Sequence, residues 1–192
     1  MSKLKKAAKY RTDDAVRQFH DLAGQPINTE PTEPDIRAIR FRNHFMLEEF
    51  IEGIEAQTHK NSLTGQRVIE ILKQAQAKIN ELQPEDIDVD FEELADSLTD
   101  QLYVVEGTGL YYGIPTAPCF DECHEKNLTR FPKTQEELDA TLEKAKGEGV
   151  EVEATWREEH NCWAVIRKDN GKLYKNALYV KPDFKNILGI KE

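Results

Sequence analysis

The sequence predicts an all-α fold, a bundle of four or more helices, with one small insertion made of a helix and a β-hairpin. Apolar residues recur every three or four positions in several long stretches, the spacing that places them on one face of a helix. Short links separate these stretches, as in helical bundles. Strict alternation of apolar and polar residues, which is typical of strands, marks a region near the C-terminus.

Helical spacing predicts five helices in the first two thirds of the chain, over residues 12–22, 40–56, 66–82, 91–112 and 120–128. We expect Thr12 to cap the first helix, because a threonine hydroxyl accepts a hydrogen bond from the first turn. The linker that follows is indicated by Gly24, Pro26, Pro31 and Pro34. The fourth helix is expected to stop near Gly113 and Pro115.

Residues 133–168 form the predicted insertion in a helical core of residues 12–132 and 169–192, and we predict one domain over residues 1–192. Thr134 and Glu137 have the spacing of a capping box, which predicts a helix from there to Gly147. Alternating apolar residues then predict two strands around a turn at residues 158–161. Because a lone hairpin is only marginally stable in water, this one should pack on its helix or on the bundle.

Composition argues against two classes of protein. The chain has 192 residues, enough for one real core, and 36 acidic against 26 basic residues, a net charge of -10. A general nucleic-acid binder must neutralise many phosphates, so no nucleic-acid partner is expected. No apolar run reaches membrane-spanning length, and the lysines near the N-terminus are followed by polar sequence. We therefore expect a cytoplasmic protein without a membrane partner.

The cysteines favour reduced structural thiols. Cys119, Cys123 and Cys162 form neither an even framework nor a paired C-x-x-C motif, which argues against a disulfide scaffold. Zinc bound by these residues and the adjacent His124 stays as an alternative, although their spacing fits none of the common zinc patterns.

Two short acidic clusters lie within otherwise apolar helical stretches. Glu48, Glu49 and Glu52 belong to the second predicted helix, and Glu93 and Asp96 to the fourth. Acids that continue an apolar face repel one another and lose hydration unless a cation compensates them. Side chains three or four residues apart lie side by side on a helix, so each pair can share one ion. The clusters therefore predict a divalent metal site.

The chemistry of the donors indicates which metal. An all-oxygen set suits Mg²⁺, with Mn²⁺ as an alternative, whereas zinc favours histidine and cysteine. Facing helices of a bundle build metal sites from such side chains. The competing interpretation is a hydrated helix surface, which is the usual role of an isolated E-E-x-x-E motif.

Four segments carry a family resemblance: RNHFMLEEFIEGIEA (42–56), ELADSLTDQLYVVEGTGLYYGI (93–114), FDECHEKNLTR (120–130) and DNGKLYKNALYVKPDFKNIL (169–188). In this order they are similar to the MazG-like and phosphoribosyl-ATP pyrophosphohydrolase-like superfamily of all-α nucleoside triphosphate pyrophosphohydrolases. The resemblance implies a MazG-like helical bundle. It also implies a Mg²⁺-dependent reaction in which water attacks the α-phosphorus of a nucleoside triphosphate and releases a monophosphate and pyrophosphate.

The resemblance also assigns roles to the acids. By motif position the metal ligands are Glu49, Glu52, Glu93 and Asp96. Glu48 corresponds to the residue that orients or deprotonates the attacking water, and the register leaves open which of Glu48 and Glu49 is base and which is ligand. Asp100, one turn further along, would bind a second ion or support the first ligands.

Four further residues correspond to substrate contacts in the family. Asn127 stands at its H-x-x-N position, and Arg130 stands where relatives usually have lysine. Lys172 and Lys175 belong to a terminal G-K-x-x-K pattern that would compensate phosphate charge. Ordinary surface lysine is the competing interpretation for both. His124 is expected to complete packing or a hydrogen bond instead of transferring a proton.

Two departures from the family pattern bear on substrate and assembly. Glu106 stands where relatives commonly have an aromatic residue, and the insertion of residues 133–168 is similar to one in some phage-encoded relatives. Because relatives bury helices between subunits, we expect a homodimer or a higher homo-oligomer. Deoxynucleotides such as dCTP or dUTP are candidate substrates. The alternatives in function are a non-catalytic nucleotide- or metal-binding regulator and an oligomeric scaffold with the same bundle.

Overall fold

The computed structural model describes residues 8–190. Within them lie seven α-helices and a two-stranded antiparallel sheet. The helices are α1 (Thr12–Ala23), α2 (Ile36–Gln57), α3 (Leu63–Ile79), α4 (Phe91–Tyr112), α5 (Thr116–Leu128), α6 (Gln135–Gly147) and α7 (Lys185–Leu188). The strands are β1 (Val152–Arg157) and β2 (Cys162–Arg167). The predicted all-α fold with a small hairpin is confirmed.

Helix α1 ends as predicted but begins differently. Thr12 is its first helical residue and not its cap, and the N-cap position is held by Arg11, whose side chain pairs with Asp13 at 2.9 Å. The expectation for Thr12 was therefore wrong by one position. At the other end Gly24 adopts φ 67° and its N–H donates to the carbonyl of Asp21 at 3.0 Å. This left-handed cap favours glycine, which has no Cβ to clash.

Helices α2 and α3 begin earlier than the apolar spacing indicates, because each has a side-chain cap. The Asp35 carboxylate accepts from the N–H of Ala38 at 2.7 Å, and the Ser62 hydroxyl accepts from the N–H of Gly65 at 3.0 Å. Such caps satisfy backbone donors that have no partner within the helix. These hydrogen bonds therefore stabilise the first turn of each helix locally.

The chain divides into two compact units. One unit is residues 30–96, which hold α2, α3 and the first turns of α4. The other holds the described residues up to Thr29 together with those from Ser97 onward. The single domain over residues 1–192 stays a prediction.

Helices α2 and α3 pack against each other within the first unit. The side-chain amide of Gln76 on α3 donates to the carbonyl of His44 on α2 at 3.1 Å, and Lys73 pairs with Glu55 at 2.7 Å. Ile51 is the buried residue of α2. The face of α2 that contains Ile51 is therefore its covered face, and the acidic residues on either side of Ile51 flank it.

The hairpin lies between α1 and α6 in the second unit. Cross-strand pairs such as Trp156 with Trp163 fix its register. Cys162 and Ala164 of β2 pack in one apolar cluster with Ala23 of α1 and Phe131. The opposite face packs in a second cluster, which joins Val165 to Leu138, Ala145 and Tyr174. The hairpin thus packs on its own helix and on the bundle helix α1, so both of the expected supports are present.

The segment after the hairpin, residues 173–179, is anchored on the hairpin and on α6, and we call it the terminal segment. Leu173 forms an isolated antiparallel bridge with Ile166, and the N–H of Tyr174 donates to the carbonyl of Val165 at 2.7 Å. The Tyr174 hydroxyl donates to Glu148 at 2.6 Å. Burial and this carboxylate raise the pKa of Tyr174 to about 12. The terminal segment is therefore held in a defined conformation.

Helix α4 is exposed along almost its whole length. Leu98, Leu102 and Val105, which form its apolar line, are 44%, 66% and 60% exposed. Gly109 is the buried residue of this helix, and it lies close to Thr116. A Cβ added at Gly109 would be 2.5 Å from Cγ2 of Thr116. These apolar side chains are therefore not covered by the rest of the described chain and could pack against another molecule.

Across residues 8–190, no helix combines the length and the apolar character that crossing a membrane requires.

Candidate active site

The acids of α2 occupy one helical turn around the buried Ile51. Glu48 is half-buried, whereas Glu49 and Glu52 are exposed. Glu49 and Glu52 are three residues apart on a continuous helix, so their carboxylates project side by side as expected. The structure thus places these acids on the predicted helix and leaves Glu49 and Glu52 exposed on the surface of one chain.

The acids of α4 lie in its first three turns. The Asp90 carboxylate accepts hydrogen bonds from the N–H groups of Glu92 and Glu93 at 3.0 and 3.1 Å, and so fixes where the helix begins. Glu93, Asp96 and Asp100 are all exposed on the helix that follows. Asp90 was missed by the periodicity argument, although an aspartate two or three residues before an acidic first turn is a recognisable cap.

The acidic pairs of α2 and α4 are not gathered into one cluster. Within residues 8–190 no group of three or more histidine, cysteine, aspartate or glutamate side chains is placed to hold a metal ion. The same finding gives no support to a zinc site at His124 and the cysteines, and Cys119, Cys123 and Cys162 form no disulfide with one another in the described part of the chain. Convergence of Glu49, Glu52, Glu93 and Asp96 on one ion therefore stays a prediction.

Two substrate residues named by the resemblance lie at the C-terminal end of α5. The Asn127 side-chain amide is 3.6 Å from Sγ of Cys123, and its Oδ1 is buried without a hydrogen-bond partner in the described structure. Nε of Arg130 is likewise buried and without a partner there. Buried polar atoms are normally satisfied, so each such atom needs an explanation. A bound ligand or ordered water would supply it.

Tyr179 brings two of the predicted substrate residues together. The guanidinium carbon of Arg130 lies 5.3 Å from the centroid of the Tyr179 ring, and Nζ of Lys175 lies 5.2 Å from the same centroid. Cations at this distance are attracted by the ring quadrupole. Sequence reasoning missed Tyr179, although it stands four residues after Lys175 in a segment already singled out by its lysines.

Lys172 is placed by its backbone. Its carbonyl accepts from the N–H of Arg167 at 2.8 Å, and its own N–H donates to the Asn170 side chain at 3.0 Å. These bonds belong to the turn that leads out of β2. The structure therefore groups Lys175 with Arg130 and leaves the role of Lys172 as a prediction.

His124 occupies the packing role that the sequence indicates. It is buried, its Nε2 lies 3.0 Å from Oε1 of Gln18, and its ring contacts those of Tyr10 and Phe120. Burial lowers the pKa of His124 below its ordinary value of 6.5, although Asp121 and Glu125 oppose the shift. The imidazole therefore ties α5 to α1 as a neutral group at neutral pH.

Glu106 has a structural role in this chain. Its carboxylate accepts a hydrogen bond from the Thr116 hydroxyl at 2.6 Å, which links the end of α4 to the start of α5. Tyr103 and Tyr111 are 81% and 87% exposed. They lie on the same exposed helix as the apolar line of α4.

One comparison with known proteins agrees with the motifs. A family model described as phosphoribosyl-ATP pyrophosphohydrolase matches residues 16–127, more than half of the chain. The class is thus the MazG-like all-α superfamily, whose members the sequence resembles. The chain belongs to the phosphoribosyl-ATP pyrophosphohydrolase family, a family of hydrolases that act on acid anhydrides. Searches of curated proteins and of solved structures gave no match.

Proposed function

We propose that the protein is a Mg²⁺-dependent nucleoside triphosphate pyrophosphohydrolase of the cytoplasm. It would convert a ribo- or deoxynucleoside triphosphate and water into the monophosphate and pyrophosphate. The observation that carries the proposal is the extent of the family match. Residues 16–127 enclose both acidic pairs and Asn127, so every predicted metal ligand lies inside the matched region.

The acidic residues fit the proposed metal by their chemistry. Carboxylate oxygens are the donors that Mg²⁺ prefers, and Mn²⁺ accepts the same set. The ion would be held by Glu49, Glu52, Glu93 and Asp96, with Asp100 as a ligand of a second ion or a support for the first. When bound, Mg²⁺ supplies partial neutralisation of phosphate charge and a more acidic bound water.

The remaining roles belong to side chains of this chain. Glu48, half-buried beside the exposed Glu49, would orient the attacking water and take its proton. Arg130, Lys172 and Lys175 would compensate the charge of the phosphates, and the Asn127 amide would hydrogen-bond to phosphate or sugar. These assignments combine the motif positions with the unsatisfied atoms at the end of α5.

The exposed α4 supports a homo-oligomer as the active form. An apolar line that is 44% to 66% exposed is unusual on a monomer, and a second copy of the chain would cover it. A second copy would also bring further carboxylates to the acidic pairs, which a single chain does not gather. We propose that the complete metal site forms in a homodimer or a higher homo-oligomer.

The direct test is a product screen over ribo-, deoxy- and modified nucleoside triphosphates and phosphoribosyl-ATP, with Mg²⁺ or with a chelator. The expected result is monophosphate plus pyrophosphate from at least one substrate, only with metal present. Turnover in ¹⁸O-labelled water should place the label in the monophosphate, because water attacks the α-phosphorus. Label in pyrophosphate, or no product from any substrate, would contradict the proposal.

Two charge-removing variants test the metal assignment. Glu52→Gln and Asp96→Asn should abolish turnover while the helical circular dichroism stays that of the wild type. Glu153→Gln, at an exposed position of β1, is the matched control and should retain activity. Retained activity in both site variants would show that these carboxylates do not hold a metal ion needed for turnover. Nucleotide binding without product in the wild type would favour the regulatory alternative.

A further inference from the structure

The Tyr179 cluster, which we define as Arg130, Lys175 and Tyr179, is the feature that carries a further inference. Its two cations come from different parts of the second unit. Arg130 follows α5, and Lys175 belongs to the terminal segment. Both approach the same aromatic ring, at 5.3 and 5.2 Å from its centroid. The ring thus attracts both positive charges, which are at most 10.5 Å apart, the sum of the two distances.

The backbone that carries Lys175 and Tyr179 is fixed on both sides. Tyr174 and Asn176 are buried, while Lys175 between them is exposed. The Lys175 carbonyl accepts from Nζ of Lys144 at 3.4 Å, and a turn closes where the N–H of Tyr179 donates to the carbonyl of Asn176 at 2.9 Å. This turn places the Tyr179 ring next to the Lys175 ammonium. The geometry is therefore built by the fold and does not depend on a flexible tail.

The Arg130 guanidinium has N–H groups that could donate hydrogen bonds to an anion. Within residues 8–190 the guanidinium forms no ion pair with a carboxylate, and its buried Nε has no hydrogen-bond partner. The guanidinium fork suits phosphate oxygens, and the ammonium group adds a point charge. Asn127, one turn before Arg130, contributes a second unsatisfied atom near the same helix end. Two neighbouring cations match a ligand that has more than one charged group.

We propose that Tyr179 is a positioning residue that holds Arg130 and Lys175 as a subsite for a polyphosphate chain. The inference rests on the proposed function for its biological ligand, because there the β- and γ-phosphates would occupy the subsite. Tyr179 itself makes no contact with the phosphates in this proposal. It acts by keeping the two cations at one place, so that less side-chain freedom is lost when the anion binds.

The test uses inorganic tripolyphosphate as the probe, since its binding requires neither a nucleoside nor turnover. Calorimetric titration should show that Tyr179→Phe, which keeps the ring, binds within about twofold of the wild type. Tyr179→Leu, which removes the ring, should bind about tenfold more weakly. Arg130→Ala and Lys175→Ala should weaken binding at least as much, whereas Lys146→Ala, an exposed lysine of α6, should not.

Kinetics separate this inference from the proposed function. If the chain turns over a triphosphate, Tyr179→Leu should raise KM about tenfold with a smaller change in kcat. An unchanged KM and unchanged tripolyphosphate binding in Tyr179→Leu would overturn the inference while the proposed function stands. If the variants change tripolyphosphate binding as expected but the wild type turns over no triphosphate, the inference stands and the proposed function fails. Equal weakening by Lys146→Ala would also overturn it, because general surface charge would then explain the binding.

Discussion

The hydroxyl of Thr141 on α6 lies 3.2 Å from Oδ1 of Asn176 in the terminal segment, and both side chains are buried. The same hydroxyl accepts a hydrogen bond from the N–H of Ala177 at 3.0 Å, and Oδ1 of Asn176 accepts one from the N–H of Leu178 at 3.1 Å. This network satisfies the backbone of the turn that precedes Tyr179. It joins the inserted helix to the segment that presents Lys175.

The first prediction concerns this network. Thr141→Val keeps the shape of the side chain but removes the partner of the half-buried N–H of Ala177. The free energy of unfolding should fall by about 1–3 kcal/mol, the usual cost of an unsatisfied buried donor. Urea denaturation measures it. Thr155→Val, at an exposed position of β1, is the control and should change stability by less than about 0.5 kcal/mol. Equal effects of the two substitutions would contradict the role of the network.

The second prediction concerns the close contact of α4 with the start of α5. Gly109→Ala places a Cβ 2.5 Å from Cγ2 of Thr116 and 3.2 Å from the carbonyl of Ile114, so it should destabilise the protein by about 1–3 kcal/mol. Gly107→Ala, in the same helix with nothing within 4 Å, should stabilise it by up to about 1 kcal/mol.

A double variant checks the cause of the Gly109 effect. Thr116→Ser removes the methyl group that the new Cβ would meet and keeps the hydroxyl that bonds to Glu106. Added to Gly109→Ala, it should restore part of the lost thermal stability. If the double variant is less stable than the sum of its single changes, the contact with Thr116 does not explain the cost.

The third prediction is a loss of stability in mild acid. Burial lowers the pKa of His124 in the folded state, so the unfolded chain takes up a proton first as the pH falls. Above the ordinary pKa of 6.5 the imidazole is neutral in both states, and below it the unfolded state is increasingly favoured. The free energy of unfolding should therefore fall between about pH 7.5 and about pH 5.5. Urea titrations at the two pH values measure this change.

Replacing the imidazole separates His124 from other titrating groups. His124→Gln cannot take up the proton, so the acid-induced loss of stability should become smaller. His59→Gln removes an exposed histidine and should leave the loss as it is in the wild type. The assignment to His124 would be wrong if the two variants respond to pH in the same way.

The fourth prediction concerns assembly. Leu102 is 66% exposed on α4, and Leu63 is 82% exposed at the start of α3. If a second copy covers α4, Leu102→Glu places a charge in that interface and should convert the oligomer to a monomer. Leu63→Glu should leave the mass unchanged. Size-exclusion chromatography with light scattering measures the molecular mass of the wild type and of each variant. A monomeric wild type, or an oligomer that tolerates Leu102→Glu, would contradict the proposed role of α4.

The sequence predicted most helices because their apolar spacing is strong, but it could not predict details that depend on capping or tertiary contacts. Helix α4 matches its predicted ends, whereas α2 begins at Ile36 because Asp35 caps it. The capping box at Thr134 is also altered: Glu137 accepts from the N–H of Lys133 at 2.7 Å, one residue before the cap. Single hydrogen bonds of this kind leave little trace in periodicity.

The sequence predicted which residues could form the candidate site, but it predicted only part of their arrangement in space. The acids of α2 and α4 lie on the predicted helices, because helical spacing alone sets which side chains are neighbours. Apolar spacing shows that a face will be covered but not by which molecule, so it predicted a partner subunit without identifying α4 as the exposed helix. The contact of Arg130 with Tyr179 depends on a turn and a tertiary contact that no local pattern contains.

The inserted helix and hairpin have a consequence for how this chain can be altered. Val165 and Thr141 both lie in the insertion, and they anchor Tyr174 and Asn176 on either side of Lys175. Deletion of residues 133–168 to obtain a shorter protein would therefore remove the side chains and backbone groups that hold Lys175 and its neighbours in place. Relatives that lack such an insertion must therefore hold their terminal lysines through other contacts.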